Sequence, residues 1–170
     1  MGWQFGNTVG RYGLISILFH WSNAVLFILM LFSGFTMTGY LTGSKIWAWY
    51  AYHKMVGVSL LLLATGRLMH RLLGQVVRSP SWWIHYGLYT GIIAMPLSGW
   101  ILSSSAGYPP KIFGIALPIV SAGRQWLTSS AWYAHFIIAF LMIITIATHI
   151  ADLLLSYRQG KRLIMRMWLQ

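Results

Sequence analysis

The stretch that decides the fold is residues 131–157, which read AWYAHFIIAFLMIITIATHIADLLLSY. It is long enough to cross a bilayer, which takes about 20 largely apolar residues. Two histidines interrupt it, His135 and His149, fourteen residues apart. Fourteen residues make nearly four helical turns, so both side chains face the same way, about 21 Å apart along the axis. The stretch predicts a transmembrane helix with two histidines on one face, and a histidine within a span indicates a functional site.

Three further apolar stretches precede this one, at about residues 12–37, 49–73 and 82–102. The 170 residues are 58% hydrophobic and 8% charged, whereas soluble domains carry about 25% charged residues. Such a chain has too little polar surface to coat a globule in water. We predict an all-α integral membrane four-helix bundle, forming a single domain over residues 1–170. The tail at residues 158–170 is basic and apolar, as in an interfacial amphipathic helix.

The longest connection, at about residues 103–130, contains Pro109, Pro110 and Pro118 and several glycines. Proline removes a backbone donor and clashes with the preceding turn, so no long helix is expected there. The connection is still fairly apolar, and we expect it to pack on the helix ends.

Twelve lysines and arginines stand against a single acid, Asp152. The basic residues lie at the ends of the apolar stretches, which is typical of retention on one side of a membrane and argues against nucleic-acid binding. The richer side is expected to be cytoplasmic, with both termini inside. It carries Arg11, Arg67, Arg71, Arg78, Arg158, Lys161, Arg162 and Arg166, and the other side carries Lys45, Lys54, Lys111 and Arg124. Because the chain has no cysteine, disulfides, iron–sulfur clusters and covalently attached haem are excluded.

The histidines can be paired by their depth in the membrane. His20 lies about two turns inside the start of the first span, level with His149, and His53 lies near the outer start of the second span, level with His135. Each pair offers two imidazoles from two helices at one depth, as a six-coordinate haem b requires. Zinc normally takes three or four ligands at one point, so haem fits better than a bare metal ion.

Four other polar residues are candidates for roles near these pairs. Arg67 follows His53 by fourteen residues, so it shares that helix face and is suited to clamp a haem propionate; the alternative is an arginine that only sets orientation. His85 is suited to bond a propionate or serve a quinone, or has neither role. His70 is interpreted as a surface residue. Asp152 is a candidate proton relay, or else it pairs with an arginine at the interface.

The ordered set of motifs resembles the bacterial four-helix di-haem cytochrome b family. That family includes the superoxide:quinone oxidoreductase cytochromes and the cytochrome b subunits of membrane hydrogenases and formate dehydrogenases. The resemblance covers nearly the whole chain and rests on Arg11-Tyr12, His20-Trp21, His53 with Gly57, Arg67-Leu68, Arg71, His85, Met95-Pro96-Leu97-Ser98-Gly99-Trp100, Phe113-Gly114, Leu117-Pro118, His135 and His149. It implies two haems b, one on His20 and His149 and the other on His53 and His135. It also implies a multi-pass protein of the bacterial inner membrane that exchanges electrons with ubiquinone or menaquinone.

The leading functional hypothesis is a quinone-linked oxidoreductase that moves single electrons between a periplasmic donor or acceptor and the quinone pool. Lys54 and Lys111 would form a basic rim that attracts superoxide or an acidic redox protein. A second hypothesis is a cytochrome b subunit that anchors a larger dehydrogenase complex. A third is a haem-free metal or proton transporter, against which the lack of acids other than Asp152 and of broken helices argues.

Overall fold

Four long helices make up most of the computed structural model, which describes residues 5–8, 11–74, 81–121, 123–161 and 164–167. They are α1 Leu14–Gly39, α2 Lys45–Leu73, α3 Trp82–Ser105 and α4 Gln125–Arg158. Helices α1, α2 and α4 are each long and apolar enough to cross a membrane. This confirms the helical membrane architecture that composition predicts.

Helix α3, the remaining predicted span, is not among the helices that meet this criterion. Its sequence includes tryptophans, tyrosines and a run of serines at its end, which lower the mean hydropathy, although 24 residues suffice to span the hydrocarbon core. Helices α2, α3 and α4 also extend beyond the apolar stretches, because apolar composition marks only the part of a helix that lies in hydrocarbon. Helix α4, for example, begins at Gln125 rather than near residue 131.

The helices pack in chain order, α1 on α2, α2 on α3 and α3 on α4, and the last contact is the most extensive. The contact between α3 and α4 depends on a small residue. A Cβ added at Gly91 of α3 would overlap the Met142 side chain of α4. A larger residue at this position would require the Met142 side chain or the two helices to shift.

A buried apolar cluster lies at the middle of the bundle and consists of Phe27, Leu60 and Met142, one from each of α1, α2 and α4. Each of the three residues follows a histidine of its own helix by seven positions, which is nearly two turns. Met142 thus stands halfway between His135 and His149. The bundle therefore has an apolar level between two histidine levels.

We call the end of the bundle with His53 and His135 the outer end, and the end with His20 and His149 the inner end, following the predicted orientation. At the outer end, the connection between α3 and α4 contains a short antiparallel hairpin, β1 Lys111–Ile112 and β2 Ile115–Ala116, which lies against α2. Its turn residues Phe113 and Gly114 have φ angles of 49° and 84°. The proline and glycine pattern excluded a long helix here but did not predict the hairpin.

At the inner end, a 3₁₀ turn at Ile164–Met167 follows α4. The Trp21 indole donates a hydrogen bond to the Met167 carbonyl oxygen, with an N–O distance of 2.9 Å, so the tail returns to α1 next to His20. Part of the predicted interfacial tail lies outside the described residues, as does Arg78.

Candidate functional site

Four of the six histidines face each other in two pairs between helices. The rings of His53 on α2 and His135 on α4 have centroids 6.3 Å apart and planes at 77°. The rings of His20 on α1 and His149 on α4 have centroids 6.5 Å apart and planes at 66°. The structure thus brings together the same residues that the depth argument pairs.

The separation of the rings can be compared with the size of a metal held between two imidazoles. Metal–nitrogen bonds to histidine are about 2 Å long, and with about 1 Å from nitrogen to ring centre the two centroids stand about 6 Å apart. Both pairs have this spacing. Within the described part of the chain, no group of three or more histidines, cysteines or acids could hold a bare metal ion. Two ligands per level fit an iron whose other ligands come from a porphyrin.

At the outer level, His53 is held by a serine of α1. The Ser33 hydroxyl donates to the Met30 carbonyl at 2.9 Å, and its oxygen lies 2.8 Å from His53 Nδ1. A hydroxyl has one proton, so the Ser33 oxygen accepts from the ring. His53 therefore carries its proton on Nδ1, and Nε2 keeps a free lone pair. That Nε2 is buried and has no hydrogen-bond partner, which a bound iron would satisfy.

His135 is held in the same way by α3. The Ser98 hydroxyl donates to the Met95 carbonyl at 2.7 Å, and His135 Nδ1 lies 2.9 Å from the Ser98 oxygen and 3.1 Å from the Met95 carbonyl oxygen. Gly99 leaves space for the ring, because a Cβ there would stand 3.0 Å from His135 Cε1. Both outer imidazoles therefore present Nε2 as the free nitrogen.

The inner level is bordered by two arginines of α2. Arg67 Nη2 lies 3.2 Å from His20 Nδ1, and since a guanidinium only donates, His20 accepts. The guanidinium groups of Arg67 and Arg71 both lie over the Tyr89 ring, each 5.2 Å from its centroid. This cluster offers several N–H donors and two positive charges to an anionic group such as a propionate.

A chain of polar contacts runs from the inner pair to the only carboxylate. The His85 ring meets the His149 ring at 5.2 Å and 84°. His85 Nδ1 lies 3.0 Å from the Ser81 carbonyl oxygen, and the Ser81 hydroxyl donates to Asp152 Oδ2 at 2.7 Å. The structure therefore joins two of the predicted residues, His85 and Asp152, through a serine that the sequence pattern did not single out.

The two lysines of the predicted outer rim have different surroundings. Lys111 is exposed on β1, whereas half-buried Lys54 donates to the Tyr108 carbonyl at 3.0 Å. The Ser103 hydroxyl donates to the same oxygen. Lys54 thus ties the outer connection to α2, while Lys111 is the more exposed of the two lysines; the rim that both would form stays a prediction.

The sixth histidine, His70, belongs to neither pair. It is half-buried rather than on the surface as predicted, with its Nδ1 3.4 Å from the Ser16 hydroxyl and its ring 6.1 Å from that of Phe19. The sequence pattern also gave no role to Ser33 and Ser98, although serines within spans can hydrogen-bond to neighbouring helices.

Comparison with known proteins adds two findings to this geometry. The family model described as prokaryotic cytochrome b561 matches residues 11–169. The chain is also similar to cytochrome b561 homolog 2 of Escherichia coli (strain K12). The two are 28% identical over 163 residues, which cover 86% of this chain and 84% of that protein.

Proposed function

Because the chain belongs to the prokaryotic cytochrome b561 family, whose members are membrane-bound and use b-type haem, we propose that it carries single electrons across the bacterial inner membrane. In this proposal two haems b connect a periplasmic donor or acceptor with ubiquinone or menaquinone, and the chain is a quinone-linked oxidoreductase. One observation carries the proposal: two facing histidine pairs lie at two depths, with the spacing that a metal between imidazoles requires.

Each histidine level has its own haem, and the apolar level lies between them. His53 and His135 hold the outer haem, and His20 and His149 hold the inner one. A haem b with two histidine ligands supplies reversible one-electron exchange at its iron. Phe27, included in the apolar level between the pairs, helps to exclude water and ions, so that electrons cross the bundle without a proton or ion leak.

Arg67 binds a propionate of the inner haem in this proposal. A histidine that binds metal through Nε2 carries its proton on Nδ1, so it cannot accept a hydrogen bond from Arg67. With haem held by His20, Arg67 would give up its 3.2 Å contact with His20 Nδ1. Its guanidinium would then be available to a propionate carboxylate, which it binds more strongly than a neutral ring.

Quinone reduction also consumes protons, and the inner end contains groups that can hold one. Asp152 is the only acid in the chain, and its contacts reach His85 through Ser81. We assign Asp152 and Ser81 the role of holding a proton near a quinone at the inner haem, with His85 facing it. At the outer end, the exposed Lys111 attracts a small anion such as superoxide or an acidic redox protein.

The test uses purified protein in vesicles that contain a quinone, with superoxide generated outside. We expect quinol to form at a rate that depends on both pairs, so that His20→Ala and His53→Ala each abolish it. Quinol formation at the wild-type rate in either variant would contradict a path through both levels. A wild-type protein that takes up electrons at its haems without reducing quinone would contradict the proposed acceptor.

A further inference from the structure

The outer histidine pair has a feature that the inner pair lacks. Ser33 of α1 and Ser98 of α3 each give their hydroxyl proton to a carbonyl of their own helix, at 2.9 and 2.7 Å. Their oxygens then face His53 Nδ1 at 2.8 Å and His135 Nδ1 at 2.9 Å. The two rings are thus oriented by the two helices that do not provide the outer ligands.

We propose that Ser33 and Ser98 are positioning residues that fix the tautomer and orientation of the outer haem ligands before haem binds. This inference rests on the proposed function. Each serine gives its own proton to a carbonyl and accepts from the ring, so the ring proton stays on Nδ1 and Nε2 keeps its lone pair. A ligand held in this way loses little freedom on binding, and the hydrogen bond makes the imidazole a stronger base.

The inner pair provides the contrast within one molecule. His20 Nδ1 accepts from Arg67 at 3.2 Å, so its proton is on Nε2, the nitrogen that the iron needs. His149 Nδ1 is buried without a hydrogen-bond partner among the described residues. Holding haem through Nε2 would require the other tautomer of His20 and another partner for Arg67, whereas the outer pair would require neither. In this proposal the outer haem is therefore held more firmly than the inner one.

The two serines are not equivalent. If Ser98 is lost, His135 Nδ1 keeps a second acceptor in the Met95 carbonyl oxygen at 3.1 Å. In the part of the chain that the structure describes, the Ser33 oxygen is the only hydrogen-bond acceptor for His53 Nδ1. Loss of Ser33 should therefore disturb the outer haem more than loss of Ser98. A general loosening of the bundle would not produce this ranking.

The test compares Ser33→Ala and Ser98→Ala with Ser59→Ala in the purified haem protein. Ser59 is the matched control, because it is a serine of α2 that bonds its own helix, at the Met55 carbonyl, at 3.1 Å. A redox titration gives the midpoint potential of each haem, and transfer to an excess of a haem-scavenging protein gives its rate of loss. His53→Ala and His20→Ala identify which haem is which.

We expect Ser33→Ala to raise the midpoint potential of the outer haem only, since a weaker base favours ferric iron less, and to weaken its retention by about 10–100-fold. Ser98→Ala should do the same to a smaller extent. Ser33→Thr keeps a hydroxyl and should restore both properties, and it serves as the informative variant if Ser33→Ala folds poorly. In the wild type the inner haem should leave first.

Outer-haem potential and retention equal to those of Ser59→Ala, in both alanine variants, would overturn the inference. So would equal changes in both haems. A wild-type chain that binds no haem would instead overturn the proposed function, so the two failures are distinguishable.

Discussion

At the scale of single residues, glycine matters where a side chain would displace a proposed haem ligand. Gly99 of α3 faces His135, and an added Cβ would stand 3.0 Å from its ring. The ring cannot retreat without leaving the serine and carbonyl oxygens that hold its Nδ1. We therefore expect a methyl group added at residue 99 to disturb the His53–His135 pair and not the His20–His149 pair.

We predict that Gly99→Ala lowers outer-haem occupancy by about 10-fold, the lower end of the effect of losing a supporting contact at a metal ligand. The measurement is haem per chain, by the pyridine haemochrome method, with the protein kept folded in detergent. Gly39→Ala is the control, because an added Cβ there has nothing within 4 Å. Equal haem content in Gly99→Ala and Gly39→Ala would show that the His135 ring has space for an added Cβ at residue 99.

Arg67 gives a second prediction at this scale. Arg67→Gln removes the charge that we assign to a propionate of the inner haem, so this haem should be lost faster while the outer haem is unaffected. Arg71→Gln is the comparison, since Arg71 lies over the same Tyr89 ring, whereas the guanidinium that reaches His20 is that of Arg67. A larger loss in Arg71→Gln would move the propionate clamp to that residue.

At the scale of elements, the bundle depends on close packing of α3 on α4. Because Gly91 leaves no space for a Cβ next to Met142, Gly91→Ala overpacks a contact near the apolar level. We expect a loss of about 1–3 kcal/mol in the free energy of unfolding. Thermal unfolding in detergent measures it, and an unchanged midpoint would show that Met142 simply adopts another rotamer.

The outer connection is the second element that can be tested. Lys54 ties it to α2 through the Tyr108 carbonyl, and Lys111 remains exposed. Lys111→Gln should slow reaction with an anionic donor at low salt and weaken the dependence on ionic strength. Lys54→Gln should in addition speed amide hydrogen exchange in the hairpin. If donor kinetics in Lys111→Gln match the wild type at every salt concentration, the steering role of this lysine is wrong.

At the scale of the whole molecule, much of the arrangement could be predicted from spacing. Seven- and fourteen-residue intervals place residues of one helix on one face at known depths, so the amino-acid sequence is enough to pair His20 with His149 and His53 with His135. Composition predicted a helical membrane protein, and both the helices and the family agree with it.

What spacing could not predict depends on how the helices are rotated against each other. The contacts of Ser33 and Ser98 with the outer histidines, and of Arg67 with His20, join different helices. A one-dimensional pattern gives the depth of a residue but not the neighbour that it faces. The hairpin was missed for a similar reason, since strands of two residues are too short for any periodicity to mark.

The central claim is that the chain holds two haems b, one on each histidine pair. The most direct measurement is a reduced-minus-oxidised absorbance spectrum of the purified protein with a count of haem per chain. We predict two low-spin b haems, with one lost in His53→Ala and the other in His20→Ala. Protein from haem-replete cells that contains no haem, or that keeps both haems in either variant, would contradict the account.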